Sequence, residues 1–254
     1  MSIVRIKSFH PLTEFAPSWN IPLWLTNWTD HEHVDAIKKW ILENEKDILE
    51  KYEYTSTGGT GLSEDHITTR FGKYNLLSQD NPAFSELLTF LRYSYIEYVQ
   101  TAQLELKDLQ IVCWANILKQ SEAMAPHSHG AQPDSYLSGN IHLEDYSTST
   151  FYRSCYDPES KLGLPNKKGG CVMFPSSTQH YTGEHDSKDP RVSVAFDLRL
   201  TGSFDANEMN AIPFQNKSVL FSDGGCMGSY WQKCKSKGKL NKDPYKKLLS
   251  NKIL

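Results

Sequence analysis

The chain has no run of about 18 apolar residues that would suggest a membrane-spanning helix, and its start, Met1-Ser-Ile-Val-Arg-Ile6, lacks the charged, apolar and small-residue zones of a secretory leader. A soluble cytoplasmic protein is therefore expected. It also lacks any Cys-x-x-C pair: the five cysteines (Cys113, Cys155, Cys171, Cys226, Cys234) are odd in number and scattered, which argues against a disulfide framework or a structural zinc site. Cys226 and Cys234 are near enough in sequence to pair or share a metal, but reduced thiols are the default reading. A basic body is missing too. The net charge of −3 conceals eight lysines against Asp243 alone in residues 232–254, a balance of +7 that leaves −10 on the preceding residues. An acidic body is unlike a nucleic-acid groove, and a lysine-rich end reads as a solvated arm. Ser56-Thr-Gly-Gly-Thr-Gly61 is rich in glycine, yet it lacks the preceding strand and the spacing of a dinucleotide fingerprint, so it reads as a loop.

The 254 residues, 39% hydrophobic and 12% aromatic, can bury one sizeable core, and one domain is expected. Within it, residues 1–106 would support the barrel, 107–200 would form it, and 201–254 would be a C-terminal extension. Residues 1–28, with Trp19, Trp24 and Trp28 among three prolines, fit a short strand and an extended segment packed across a barrel. From Asp30, the positions Val34, Ile37, Ile41, Ile48, Leu49 and Tyr52 share a helical face. His31 and His33 lie about 200° apart around such a helix and cannot share a metal. Residues 67–77 look like a strand or lid, with Arg70 as a surface charge or a substrate contact. Asn81-Pro82 opens a second, greasier helix with proline at its first position. Past residue 106 the pattern turns to short strands: 109–118, 135–143, 149–154, 171–174 and 192–200. Helices that precede strands instead of alternating with them exclude a parallel α/β sheet and indicate a sandwich or barrel.

Three imidazoles stand out. His127 and His129 flank one residue, so on an extended backbone they leave the same face about 7 Å apart at the Cα and could take one cation. His180 suits a third ligand from a distant strand. Arg191 opens an otherwise apolar period-2 run, which favours an inward role. His10, His66, His142 and His185 default to ordinary hydrogen-bonded histidines, with His142 a minor candidate for the cavity wall.

The order of these elements carries a resemblance. His127-Ser-His129, Ser135-Tyr-Leu-Ser-Gly139, Gly170-Cys-Val-Met-Phe-Pro-Ser176 running on to His180, and Arg191-Val-Ser-Val-Ala-Phe196 together resemble the 2-oxoglutarate and Fe(II)-dependent oxygenases, in particular a prokaryotic and phage group with His-x-His. The likeness spans roughly residues 110 to 200. It implies a mainly β fold, a double-stranded β-helix or cupin-like jelly roll, with the N-terminal helices packed on the outer sheet. It further implies an Fe(II) centre at His127, His129 and His180, with 2-oxoglutarate as co-substrate and dioxygen as oxidant. Arg191 would grip the distal carboxylate through its planar fork, Ser193 would add a hydroxyl, and Asn116 and Asn140 would be weaker contacts. His129 occupies the position where the wider superfamily has a carboxylate; a neutral ligand there leaves the iron more positive and moves its potential upward. Asp134 is an alternative carboxylate donor. The implied reaction is hydroxylation of a small molecule or peptide side chain. Two other readings are a three-histidine cupin-type dioxygenase that needs no 2-oxo acid, and a jelly-roll binding protein without catalysis. The loops near residues 60, 156–168 and 226–231 are expected to shape the pocket.

Overall fold

The structure is a computed structural model that describes residues 1–130, 132–202 and 210–215. The lysine-rich end, Cys226, Cys234 and the 226–231 loop lie outside the described residues. Among the described residues ten strands form two antiparallel sheets, and two long helices connect the second strand to the third within the larger sheet. The larger sheet has seven strands in the order β1 (Ser2–Lys7), β2 (Asn20–Asn27), β7 (Gly170–Pro175), β4 (Leu137–His142), β9 (Arg191–Leu200), β3 (Leu109–Leu118) and β10 (Ile212–Gln215). The smaller sheet orders β6 (Asp157–Pro165), β5 (Ser149–Ser154) and β8 (Gln179–Thr182). Facing sheets with these crossovers make a double-stranded β-helix, as the sequence motifs implied. None of the helices among the described residues is long and apolar enough to cross a membrane.

The helices α1 (His31–Lys51) and α2 (Pro82–Thr101) cover the outer face of the larger sheet. In α1 the buried residues Val34, Ile37, Ile41 and Ile48 recur at helical spacing, so one stripe faces the sheet and the charged residues face water. In α2, Asn81 caps the start by accepting from the Ala83 amide, and Pro82 takes the first turn, where no amide donor is needed. Tryptophans from the N-terminal segment form the seam: Trp24 stacks on Tyr98 and donates to Ser94, and Trp28 stacks on Phe90. That segment is two paired strands at the sheet edge, not one strand and a crossing segment. The apolar layer between helices and sheet uses the outward residues of β3 and β9, among them Ile111, Cys113, Val194 and Phe196. Their alternates face inward, toward the smaller sheet.

Residues 67–77 form no strand but two short 3₁₀ turns, Ile67–Arg70 and Leu76–Ser78, and place Thr68 and Phe71 on the wall of the cavity described below. Arg70 there donates to the carbonyls of Tyr52 and Glu64 and to the Thr69 hydroxyl, so it fastens the segment and contacts no substrate cavity.

Gly139 of the Ser-x-Leu-Ser-Gly motif has a packing reason. A Cβ there would lie 2.3 Å from the Phe196 ring and 2.7 Å from the Val172 carbonyl oxygen. The ring can shift a little, but the backbone oxygen of a central strand cannot. Gly139→Ala is therefore expected to destabilise by roughly 3 kcal/mol, the upper end of overpacking effects. The urea midpoint would fall with its slope unchanged. An unaltered midpoint would show that the sheet accommodates the methyl group.

Candidate metal centre and cavity

The site lies between the sheets and is built by strand pairing. Residues 124–129 run beside β8 as an irregular extra strand. His127 and His180 exchange both backbone hydrogen bonds, 3.1 Å and 2.9 Å, so they stand directly opposite one another. The His129 amide donates to the Ser176 carbonyl at 2.9 Å, which holds the segment extended and brings His129 to the same face as His127. The ring centroids are 4.3 Å apart for His127 and His180, 4.9 Å for His129 and His180, and 5.5 Å for His127 and His129. One ligand atom from each lies within 4.8 Å of the other two, and among the described residues these three alone form a group able to share an ion. Asp134, the alternative carboxylate, is absent from that group. The turn that closes Ser135 back on the Gln132 carbonyl takes it off the strand face, and it borders a small side cavity instead.

Each imidazole is fixed through Nδ1. The acceptor is the Ala125 carbonyl for His127 (2.8 Å), the Thr178 carbonyl for His180 (3.2 Å) and Asp197 Oδ1 for His129 (2.6 Å). An Nδ1 that donates carries the proton, so in all three rings the lone pair is left on Nε2. Metal-binding histidines are held in this way by outer partners. Burial, followed by the neighbouring His129, pushes His127 down to about 4, and burial with both neighbours holds His180 well below its ordinary range. Both rings are thus neutral at physiological pH, as ligands must be.

Seven of the residues singled out in the sequence border one cavity of about 360 Å³: His127, His129, His180, Arg191, Ser193, Asn116 and Asn140. Strand β9 contributes Arg191, Ser193, Ala195, Asp197 and Arg199, five alternating residues on one face. Arg191 is 3% exposed; its one hydrogen bond runs to the Thr150 hydroxyl, and its Nε and second terminal nitrogen have no partner. Burial lowers its pKa to about 10, which leaves it a cation at neutral pH. A buried cation with two unmatched donors is costly unless an anion meets it. Beneath it His142 is fully buried and kept neutral by burial and by Arg191, with Nδ1 unpartnered. Asn140 donates to the Tyr152 hydroxyl at 2.8 Å and leaves its Oδ1 without a partner. Asn116 differs: its Oδ1 accepts from the Thr68 hydroxyl at 2.8 Å, so it is partly engaged in holding the 3₁₀ turn.

The other part of the cavity is lined by Phe71 and Trp114 and by the glycine-rich loop through Thr57, Gly58 and Thr60. Trp114 leans on His129, with centroids 5.4 Å apart. The loop is tied down where the Ala125 amide donates to the Thr60 carbonyl at 2.7 Å. Gly59, at φ +76°, passes so near that a Cβ would lie 3.3 Å from that of His127. Residues 156–168 do not reach this cavity; most of them form the edge strand β6.

Sequence reasoning missed Thr150, Tyr152 and, above all, Asp197. Thr150 and Tyr152 face inward from β5 by strict alternation, a signal present in Ser149-Thr-Phe-Tyr-Arg-Ser154. Asp197 continues the Arg191, Ser193, Ala195 series by the same period.

A double-stranded β-helix with three converged imidazoles and a buried guanidinium thus defines the protein. No family model and no curated protein matches the sequence. Among solved structures, a Pseudomonas putida prolyl-4-hydroxylase aligns with a TM-score of 0.50 at 13% identity over 71% of this chain and 93% of its own. The non-haem α-ketoglutarate-dependent carbocyclase SnoK of nogalamycin biosynthesis aligns with a TM-score of 0.50 at 13% identity, covering 76% and 87%. The chain shares the fold of these enzymes.

Proposed function

We propose that this protein is a non-haem Fe(II)- and 2-oxoglutarate-dependent oxygenase that hydroxylates a small molecule or a peptide side chain. The observation that carries the reading is the placement, in one cavity, of three converged imidazoles, each with Nδ1 engaged by an oxygen, beside a buried arginine with two unmatched donors. Three imidazole nitrogens suit Fe(II) and leave room for other donors. Iron bound there would supply dioxygen activation, with 2-oxoglutarate, dioxygen and a C–H bond becoming succinate, carbon dioxide and an alcohol.

The chain's own residues would do the rest. Arg191 pairs with the distal carboxylate, helped by the Thr150 and Ser193 hydroxyls. Asn140, with its amide turned by the Tyr152 hydroxyl, offers a further polar contact. Phe71 and Trp114 hold the substrate's apolar part and exclude water, and the glycine-rich loop forms the rim. The unmatched donors of Arg191 favour an oxo-diacid over a cupin-type reaction that requires no anion. The three free thiols among the described residues, Cys113, Cys155 and Cys171, suit the reducing cytoplasm, where we place the protein.

The test is succinate production by the purified protein, without substrate, on addition of Fe(II) and 2-oxoglutarate under air. Slow uncoupled turnover that requires both is expected. Iron-loaded protein that produces no succinate and does not bind 2-oxoglutarate in calorimetry would refute the oxygenase reading.

A further inference from the structure

The three ligands proposed above contribute no negative charge to a divalent ion. Directly behind one of them is a carboxylate that does not reach the shared ligand positions. Asp197 is 4% exposed on β9, with Val112 of β3 and Ser138 of β4 as its register neighbours. Its Oδ1 lies 2.6 Å from His129 Nδ1 and 2.6 Å from the Ser138 hydroxyl, and its Oδ2 lies 3.5 Å from the Arg199 guanidinium. Ser138 is in turn 2.9 Å from the Ser176 hydroxyl. Ser176 is also the residue whose carbonyl accepts from the His129 amide. Backbone and side chain of His129 are thus fixed by one connected group. A buried carboxylate with its hydrogen-bond partners contributes little net stability compared with apolar packing, so its presence here calls for another reason.

We propose that Asp197 is the anionic member of the metal centre, a positioning residue that fixes His129 and supplies through its ring the charge that a directly bound carboxylate would supply. This rests on the metal-centre reading above. The hydrogen bond sets the His129 tautomer, so that Nε2 alone is available to the metal. A carboxylate acceptor also draws the Nδ1 proton toward itself, which raises electron density on Nε2 and strengthens it as a donor. Ligand polarity is thereby conserved with the carboxylate moved one residue outward, and the upward shift in potential expected from a neutral ligand is offset.

The experiment uses the full-length metal-free protein, with anaerobic Fe(II) and Co(II) titrations and the Fe(III)/Fe(II) potential as readouts. Asp197→Asn is expected to weaken both metals 10- to 100-fold, the usual effect of losing an outer partner, and to raise the potential. Asp197→Glu should recover part of the affinity. The double variant His129→Asp with Asp197→Asn, which places the carboxylate on the metal, should recover most of it. Should Asp197→Asn fail to fold, Ser138→Ala removes a competing donor from the same carboxylate oxygen and leaves it a stronger acceptor for the His129 ring, so a smaller shift of potential in the opposite direction, downward, is expected. A merely structural role would alter the unfolding midpoint and leave the potential and the Co(II) absorption spectrum unchanged. Wild-type affinity and potential in Asp197→Asn, or an unmoved potential in folded Ser138→Ala if the former does not fold, overturn this inference alone. Absence of Fe(II) and Co(II) binding in the wild type overturns the metal centre, and this inference with it.

Discussion

His180→Ala is expected to abolish Fe(II) binding and, with it, all succinate formation. His180 is fixed by paired backbone hydrogen bonds to His127 and by Nδ1 held at the Thr178 carbonyl. Truncation removes a ligand without disturbing the ladder that carries it, so the variant keeps its fold and loses its metal. The loss should exceed the roughly 10- to 100-fold typical of removing an outer partner, because a direct bond is lost. His127→Ala should behave alike. His129→Ala removes the ligand from the irregular segment but leaves the directly opposed pair, and a weaker, measurable affinity is expected. Calorimetry with Fe(II) under argon distinguishes these cases. Undiminished binding in His180→Ala would show that the three rings do not share an ion.

Arg191→Ala should weaken 2-oxoglutarate binding on the order of 100-fold, within the 2–5 kcal/mol range for breaking a buried, hydrogen-bonded charge pair. Arg191→Lys should not restore it, because an ammonium offers a point charge where the planar fork offers parallel donors. The two variants also separate binding from stability. In the metal-free protein the guanidinium is buried with two donors unmatched, so its removal relieves a desolvation penalty, and the urea midpoint of Arg191→Ala should hold or rise. A variant that bound 2-oxoglutarate as the wild type does would redirect attention to a cupin-type reaction. A midpoint that collapsed would recast Arg191 as a structural residue.

Much of this architecture is legible in the sequence, for reasons that can be named. The helix stripes of α1 and α2 and the inward alternation of β5 are local patterns, and the Asn81-Pro82 start is a local signal. The ends of β5, Ser149 and Ser154, coincide with the expected ones. Strand β6 has the polarity of a loop in Asp157-Pro-Glu-Ser-Lys161. It is an edge strand, where charged residues and proline are tolerated. Residues 67–77 turn instead of extending, with the Thr69 hydroxyl bonded locally and that of Thr68 to Asn116. Asp197 was not singled out for a different reason. Its partners His129 and Ser138 are 68 and 59 residues away, and the register that joins them is a tertiary fact absent from any short window.

The five alternating residues of β9 have an evolutionary corollary. Inserting or deleting one amino acid between Ser193 and Asp197 would reverse the facing of every side chain beyond that point, turning Asp197 and Arg199 toward the helices and Phe196 and Leu198 into the cleft in a single event. The rim, made of turns, is under no such parity rule. Lineages descended from this protein can therefore diversify what they accept by lengthening or shortening the segment around residue 58, while the reading frame of that one strand stays fixed.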